Sequence, residues 1–169
     1  MKMTSAQAAK LLRQLNEEIR TLQLREDNSS SFLAALGEDP ESVRPAYDYT
    51  SMQEQQKAVE EKIRRIKHTV NLFNATTVIP GYGFTIDEML VYLPQLSRRC
   101  IRLSVMKDAL PKVRDNAGLS HGSTVIDYRY ANYDIEQVNR DYTAVSEELA
   151  RAQTALDLIN NTAEMDIDI

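Results

Sequence analysis

The chain carries a single cysteine, no tryptophan and few of the residues that interrupt helices. Five glycines and five prolines among 169 residues are about half of ordinary usage, which excludes turn-dense all-β folds and flexible low-complexity arrays. With Cys100 alone no intramolecular disulfide can form, so a small secreted scaffold held by bridges is excluded and a reducing compartment fits. Long apolar runs are missing as well. The longest, Phe32 to Leu36 and Met89 to Leu93, have five residues each, against the roughly 18 needed to span a bilayer. The first seven residues lead directly into an amphipathic pattern without an apolar signal-peptide core, and a cytoplasmic location is expected. Excess positive charge is also absent. Twenty Lys and Arg against 25 Asp and Glu give a formal net charge of −5, opposite in sign to a nucleic-acid footprint, so no nucleic-acid partner is expected.

What is present is helical periodicity. Ile135, Val138, Tyr142, Val145, Leu149, Ala152, Leu156 and Ile159 alternate at spacings of three and four, the seam of a heptad helix. Asp134 with Gln137 three residues on is a start signal and predicts a helix over 134–160. A second seam, Met52, Gln56, Val59, Ile63, Ile66, Val70 and Phe73, predicts a helix over 51–74 opened by Thr50 and Gln53, with Gln56 its weakest position. Ala8, Leu12, Leu15, Ile19 and Leu22 predict a helix over 5–26, opened by a capping box of Thr4 and Gln7. The fourth, over 86–109, starts at Thr85 with Glu88 and follows Met89, Leu93, Leu96, Cys100, Leu103, Met106 and Leu110. Leu90, Ile101 and Val105 widen its apolar stripe, which implies deeper burial. Pro94 inside it removes one backbone donor and is expected to bend it.

The connections are uneven. Residues 27–49 read as a loop holding one helical turn, and Ile79 to Gly83 as a turn. The stretch from Pro111 to Tyr133 is longer than a structureless loop usually runs. Within it Val125 to Tyr130 is β-branched and aromatic, so a short strand is expected, with Thr76 to Ile79 as partner. The expected architecture is a single mainly α domain over 1–169: an up-down-up-down four-helix bundle with coiled-coil-like seams and a minor short strand pair. Such seams also allow pairing between chains, and a homo-oligomer is expected.

Candidate sites are sparse. Neither His68 nor His121 belongs to a Glu-x-x-His or His-x-x-x-His pair, so no metal and no cofactor is expected. Cys100 lies on a seam and reads as a small hydrophobe. Lys62, Arg64, Arg65, Lys67 and His68 form the densest basic patch, but Glu60 and Glu61 precede Arg64 and Arg65 by four residues, the orientation of exposed helix ion pairs. The patch reads as a solvated face. Gly81-Tyr82-Gly83 lacks the context of a phosphate loop. The acidic residues 164–169 read as a frayed terminus. Asn71, Asn74, Thr76 and Thr77 end one predicted helix, and Asn160 and Asn161 end another. Asn suits helix termination, and in the expected bundle the two ends face the same way, a candidate polar pocket beside the Gly81–Gly83 turn.

Three segments together carry a resemblance. They are Gly37-Glu38-Asp39-Pro40, then Asn71-Leu72-Phe73-Asn74-Ala75-Thr76-Thr77, then Gly83 to Leu90. With Val125-Ile126-Asp127-Tyr128 and Leu156 to Thr162, the chain resembles the bacterial septicolysin-like family over most of its length. The resemblance implies a small, mainly helical bacterial protein, with a family label suggesting cytolysis and no catalytic residue to carry over. A structural or interaction protein that self-associates, without catalytic residues, is the leading expectation. A membrane-active lytic factor and a small-ligand binder or enzyme using the Asn/Thr end are the alternatives.

Overall fold

The computed structural model describes residues 1–115 and 127–169. Among these residues the order is β1 (Lys2–Thr4), α1 (Ser5–Ser29), α2 (Pro40–Val43), α3 (Tyr49–Thr76), α4 (Ile86–Lys107), β2 (Lys112–Asp115), β3 (Asp127–Tyr130), α5 (Ile135–Thr162) and β4 (Glu164–Asp166). The protein is mainly helical with two small antiparallel strand pairs. The chain divides into two compact units, Met1–Thr77 with Leu158–Ile169 and Val78–Asp157.

In the first unit α1 opens as its sequence requires. The Thr4 hydroxyl accepts from Gln7 N–H while Gln7 Oε1 accepts from Thr4 N–H at 2.9 Å, which satisfies two donors that a helix start otherwise leaves free. α3 begins earlier than Thr50. Asp48 Oδ1 accepts from Ser51 N–H at 3.1 Å, since a carboxylate caps more strongly than the threonine two residues on. α1 and α3 run antiparallel, as Glu26 near the end of α1 meets Gln53 and Gln56 near the start of α3. Between them Ala8, Leu15, Leu22, Val59 and Ile66 are buried, flanked by half-buried Leu12, Ile19, Met52, Ile63, Val70 and Phe73. These are the predicted seam residues.

The C-terminal residues correct the expectation of a frayed tail. β4 pairs with β1 in the register Lys2–Asp166, Met3–Met165, Thr4–Glu164. Met3, Met165 and Ile167 are buried in the α1/α3 core. Alternation explains it: Met165 and Ile167 share one face of the extended chain while the acids Glu164, Asp166 and Asp168 share the other.

In the second unit, Gly81 (φ +84°) and Gly83 (φ +73°) turn the chain in a conformation that side chains with a Cβ seldom adopt. Ile79 N–H donates to Phe84 O at 2.9 Å and brings Thr85 into place as the cap of α4, again in a capping box with Glu88. α4 and α5 also run antiparallel. Tyr92 lies against Glu148, the Lys107 ammonium sits 5.0 Å from the Tyr142 ring centroid, and the Tyr133 hydroxyl donates to Met106 O at 3.0 Å. Ile79, Ile86, Met89, Leu96, Val138, Val145, Ala152 and Leu156 are buried.

Two expectations need correction here. Leu90, Ile101 and Val105 do not deepen the burial of α4; with Val91 they stand exposed on its outer face, because the inner face is already filled by Met89, Leu96 and their neighbours. The strand at Asp127–Tyr130 pairs with Lys112–Asp115, not with Thr76 to Ile79. A hairpin partner within the same connection closes a shorter loop, which is entropically cheaper. Val125, Ile126 and His121 lie outside the described residues. Pro94 sits inside α4 on its exposed side, where its ring meets solvent.

Candidate functional site

The heptad register of α1 continues from Leu22 to Glu26, and that of α3 passes through Gln56. The two polar seam positions meet. Glu26 Oε2 accepts from Gln56 Nε2 at 2.6 Å, and Oε1 accepts from Gln53 Nε2 at 2.7 Å and from the Tyr47 hydroxyl at 2.8 Å. Donation by Gln56, then by Tyr47, holds the Glu26 carboxyl below its ordinary range, while donating to that carboxylate pushes the Tyr47 phenol upward. This node ties the start of α3 to the end of α1 and anchors the 30–48 connection. The signal was in the sequence: two polar residues at seam positions of facing helices are a matched layer.

Beyond the node the connection forms a tip. Phe32, Leu33 and Leu36 are exposed, the two leucines fully. Ala35 N–H donates to Glu38 Oε2 at 2.9 Å, Glu38 N–H donates to Ala35 O at 3.0 Å, and Gly37 takes φ +90°. The Arg44 guanidinium lies 5.4 Å from the Phe32 ring centroid and pairs with Glu41 at 2.6 Å.

Along the α1/α3 seam, on the other side of the node, runs an open trough of about 590 Å³. Half-buried Ile19 and Ile63 give it an apolar lining; Asn16 and Gln23 stand on the α1 side, Arg64, Lys67 and His68 on the α3 side. Of the predicted ion pairs, Glu61 with Arg65 forms at 2.7 Å; Arg64 and Lys67 carry none among the described residues.

The second unit has a smaller hollow of about 370 Å³ at the start of α4, lined by Phe84, Asp87, Glu88, Val91, Tyr92 and Gln95. Phe84 packs edge-on against Tyr82 and Tyr92, with centroids 5.4 and 5.5 Å away. Burial, then the neighbouring Glu148 carboxylate, raises the phenols of Tyr82 and Tyr92. Of the carboxylates here, Glu88 is held in the capping box with Thr85 and Glu148 lies against Tyr92.

The predicted Asn/Thr residues are distributed as follows. Asn71 lines an end of the trough. Asn74 is half-buried near the end of α3. The Thr76 hydroxyl donates back to Leu72 O at 2.8 Å, and Thr77 caps α3, its N–H donating to Phe73 O at 2.9 Å. Asn160 is half-buried and Asn161 exposed in the last turn of α5. Helix termination accounts for the threonines. Cys100 is half-buried, its Sγ 3.7 Å from Ser146 Oγ. Among the described residues no group of three His, Cys, Asp or Glu is placed to hold a metal ion, and no helix is long and apolar enough to cross a membrane.

These features define a mainly helical protein built on antiparallel helix pairs with short strand pairs beside them. No protein-family model and no curated protein matches the chain. Among solved structures the chain is similar to one described as a functionally unknown conserved protein from Corynebacterium diphtheriae. The likeness covers 98% of this chain and 100% of that one, with a TM-score of 0.60 and 14% sequence identity. At that identity the likeness shows the fold alone.

Proposed function

We propose that the protein is a non-enzymatic structural or interaction protein that associates with itself. The observation that carries this reading is the outer face of α4. Leu90, Val91, Ile101 and Val105 are 46%, 57%, 65% and 72% exposed, and they recur on one side of a single helix. Exposed apolar side chains gathered on one side of a helix are the kind of surface that a partner covers. The up-down-up-down bundle, its coiled-coil seams, a cytoplasmic location and membership of the septicolysin-like family belong to the same proposal. Support for the bundle comes from the heptad spacing of the four long helices.

Light scattering on purified protein tests the reading. A stoichiometric oligomer that persists at molar salt is expected, because apolar contact is not screened. Ile101→Asp with Val105→Asp is expected to weaken it by at least about tenfold, since each buried aliphatic side chain contributes on the order of 1 kcal/mol or more. A monomer at all concentrations refutes self-association. A membrane-active role draws support from one feature, the fully exposed Leu33 and Leu36 at the tip.

A further inference from the structure

The α4 row leaves two features of the first unit unused, the apolar tip and the trough. The tip is ordered by its own hydrogen bonds, described above, yet it exposes Leu33 and Leu36 completely. An apolar projection already fixed in shape loses little further conformational freedom when it inserts into another surface. Its surroundings are acidic: between residues 27 and 44 stand Asp27, Glu38, Asp39 and Glu41 against Arg44 alone. The trough is its complement. Ile19 and Ile63 offer apolar contact, and Arg64 and Lys67 stand exposed beside them with no ion pair among the described residues; Glu60 is the single acid in the lining. Within one copy Leu33 and Leu36 stand clear of the trough. Gln23, the nearest lining residue on α1, lies six residues before its end, so about 9 Å of rigid helix separates the trough from the start of the tip connection.

We infer that the tip, residues 32–41, of one copy docks in the α1/α3 trough of a second copy. The inference rests on the reading of self-association and adds to it a contact of a different kind. The two surfaces differ, so every added copy presents a free tip or a free trough. Such a heterologous contact grows into a filament unless its rotation closes a ring. The apolar parts supply the seat, and the opposite charges set the orientation and raise the association rate. The acidic rim also makes an anionic bilayer a poor alternative occupant.

Mixing tests this. The background chain carries Ile101→Asp and Val105→Asp, so that the α4 row does not contribute. In that background, concentration-dependent head-to-tail assembly is expected in light scattering, weakening as salt rises. Leu33→Asp with Leu36→Asp removes the tip, and Arg64→Glu with Lys67→Glu reverses the trough. Each pair alone is expected to weaken assembly by more than about tenfold. An equimolar mixture of the two is expected to form a complex of one copy of each and nothing larger, because only one intact tip and one intact trough are then present. Circular dichroism confirms that each variant is folded, and all the substituted positions are exposed. The inference is overturned if the folded background chain stays monomeric, if either variant alone assembles as the background does, or if the mixture gives no one-to-one complex. It is also overturned if the unsubstituted chain is monomeric and Leu33 and Leu36 instead drive binding to phosphatidylcholine vesicles. If the unsubstituted chain assembles and the background chain does not, the α4 reading stands and the tip contact falls; a monomeric unsubstituted chain removes both.

Discussion

Glu26 is the residue on which the first helix pair turns. Three side chains donate to one carboxylate, and their donation favours its charged form in the folded state. Because its folded pKa is depressed, the stabilisation is fully present above the unfolded carboxyl's ordinary range and is lost as pH falls through the folded value. Urea midpoints measured from neutral to acid pH are expected to fall, and Glu26→Gln is expected to flatten part of that fall. The same variant turns one acceptor oxygen into a donor facing another donor, so its midpoint at neutral pH is expected to be lower than that of the unsubstituted protein. Ile66 offers a different test. It is fully buried between α1 and α3, and Ile66→Ala is expected to lower stability by about 2–5 kcal/mol through lost transfer energy and the cavity left behind. Urea unfolding reads both.

At the scale of elements, β4 is a stay rather than a tail. Ending the chain after Ala163 removes Met165 and Ile167 from the α1/α3 core and leaves β1 without its partner. A lowering of the thermal midpoint by several degrees or more is expected, larger than deletion of six solvated residues gives. Pro94 yields the opposite sign. Its missing N–H breaks the α4 ladder at an exposed position, and Pro94→Ala is expected to raise stability by about 1–3 kcal/mol, read by thermal unfolding. The long helices were legible because heptad spacing and capping residues are local: Thr4 with Gln7 and Thr85 with Glu88 form the boxes their spacing requires. The strand at Asp127–Tyr130 was legible in its β-branched and aromatic run but its partner was not, and the β1/β4 pair was not, since a three-residue strand takes its identity from a partner that can lie more than 150 residues away, as Lys2 does from Asp166. The α4 stripe misled for a related reason. Apolar width reports how much surface wants covering, not whether the same chain covers it. The trough was half legible: the basic patch was visible, but its free cations depend on Arg65, and not Arg64, taking the ion pair.

On the scale of the whole molecule, the likeness to the Corynebacterium diphtheriae protein at 14% identity is what periodic seams permit. Many aliphatic combinations satisfy the same spacing, so a fold of this kind can persist at low sequence identity. The surfaces on which the proposed self-association rests are an apolar row on α4, an acidic apolar tip and a basic trough.

The pairing of β1 with β4 has one further consequence. Lys2 and Asp166 are direct neighbours across a two-stranded ladder and Ile167 N–H donates to Met1 O at 2.9 Å, so a short peptide bridge from beyond Ile167 to Met1 would join the two strands without stretching either helix. A circularly permuted gene, bridged beyond Ile167 so that this buried side chain stays in the core and with fresh ends opened at Gly37, would keep the buried contacts of the first unit while cutting the leucine-bearing projection in two.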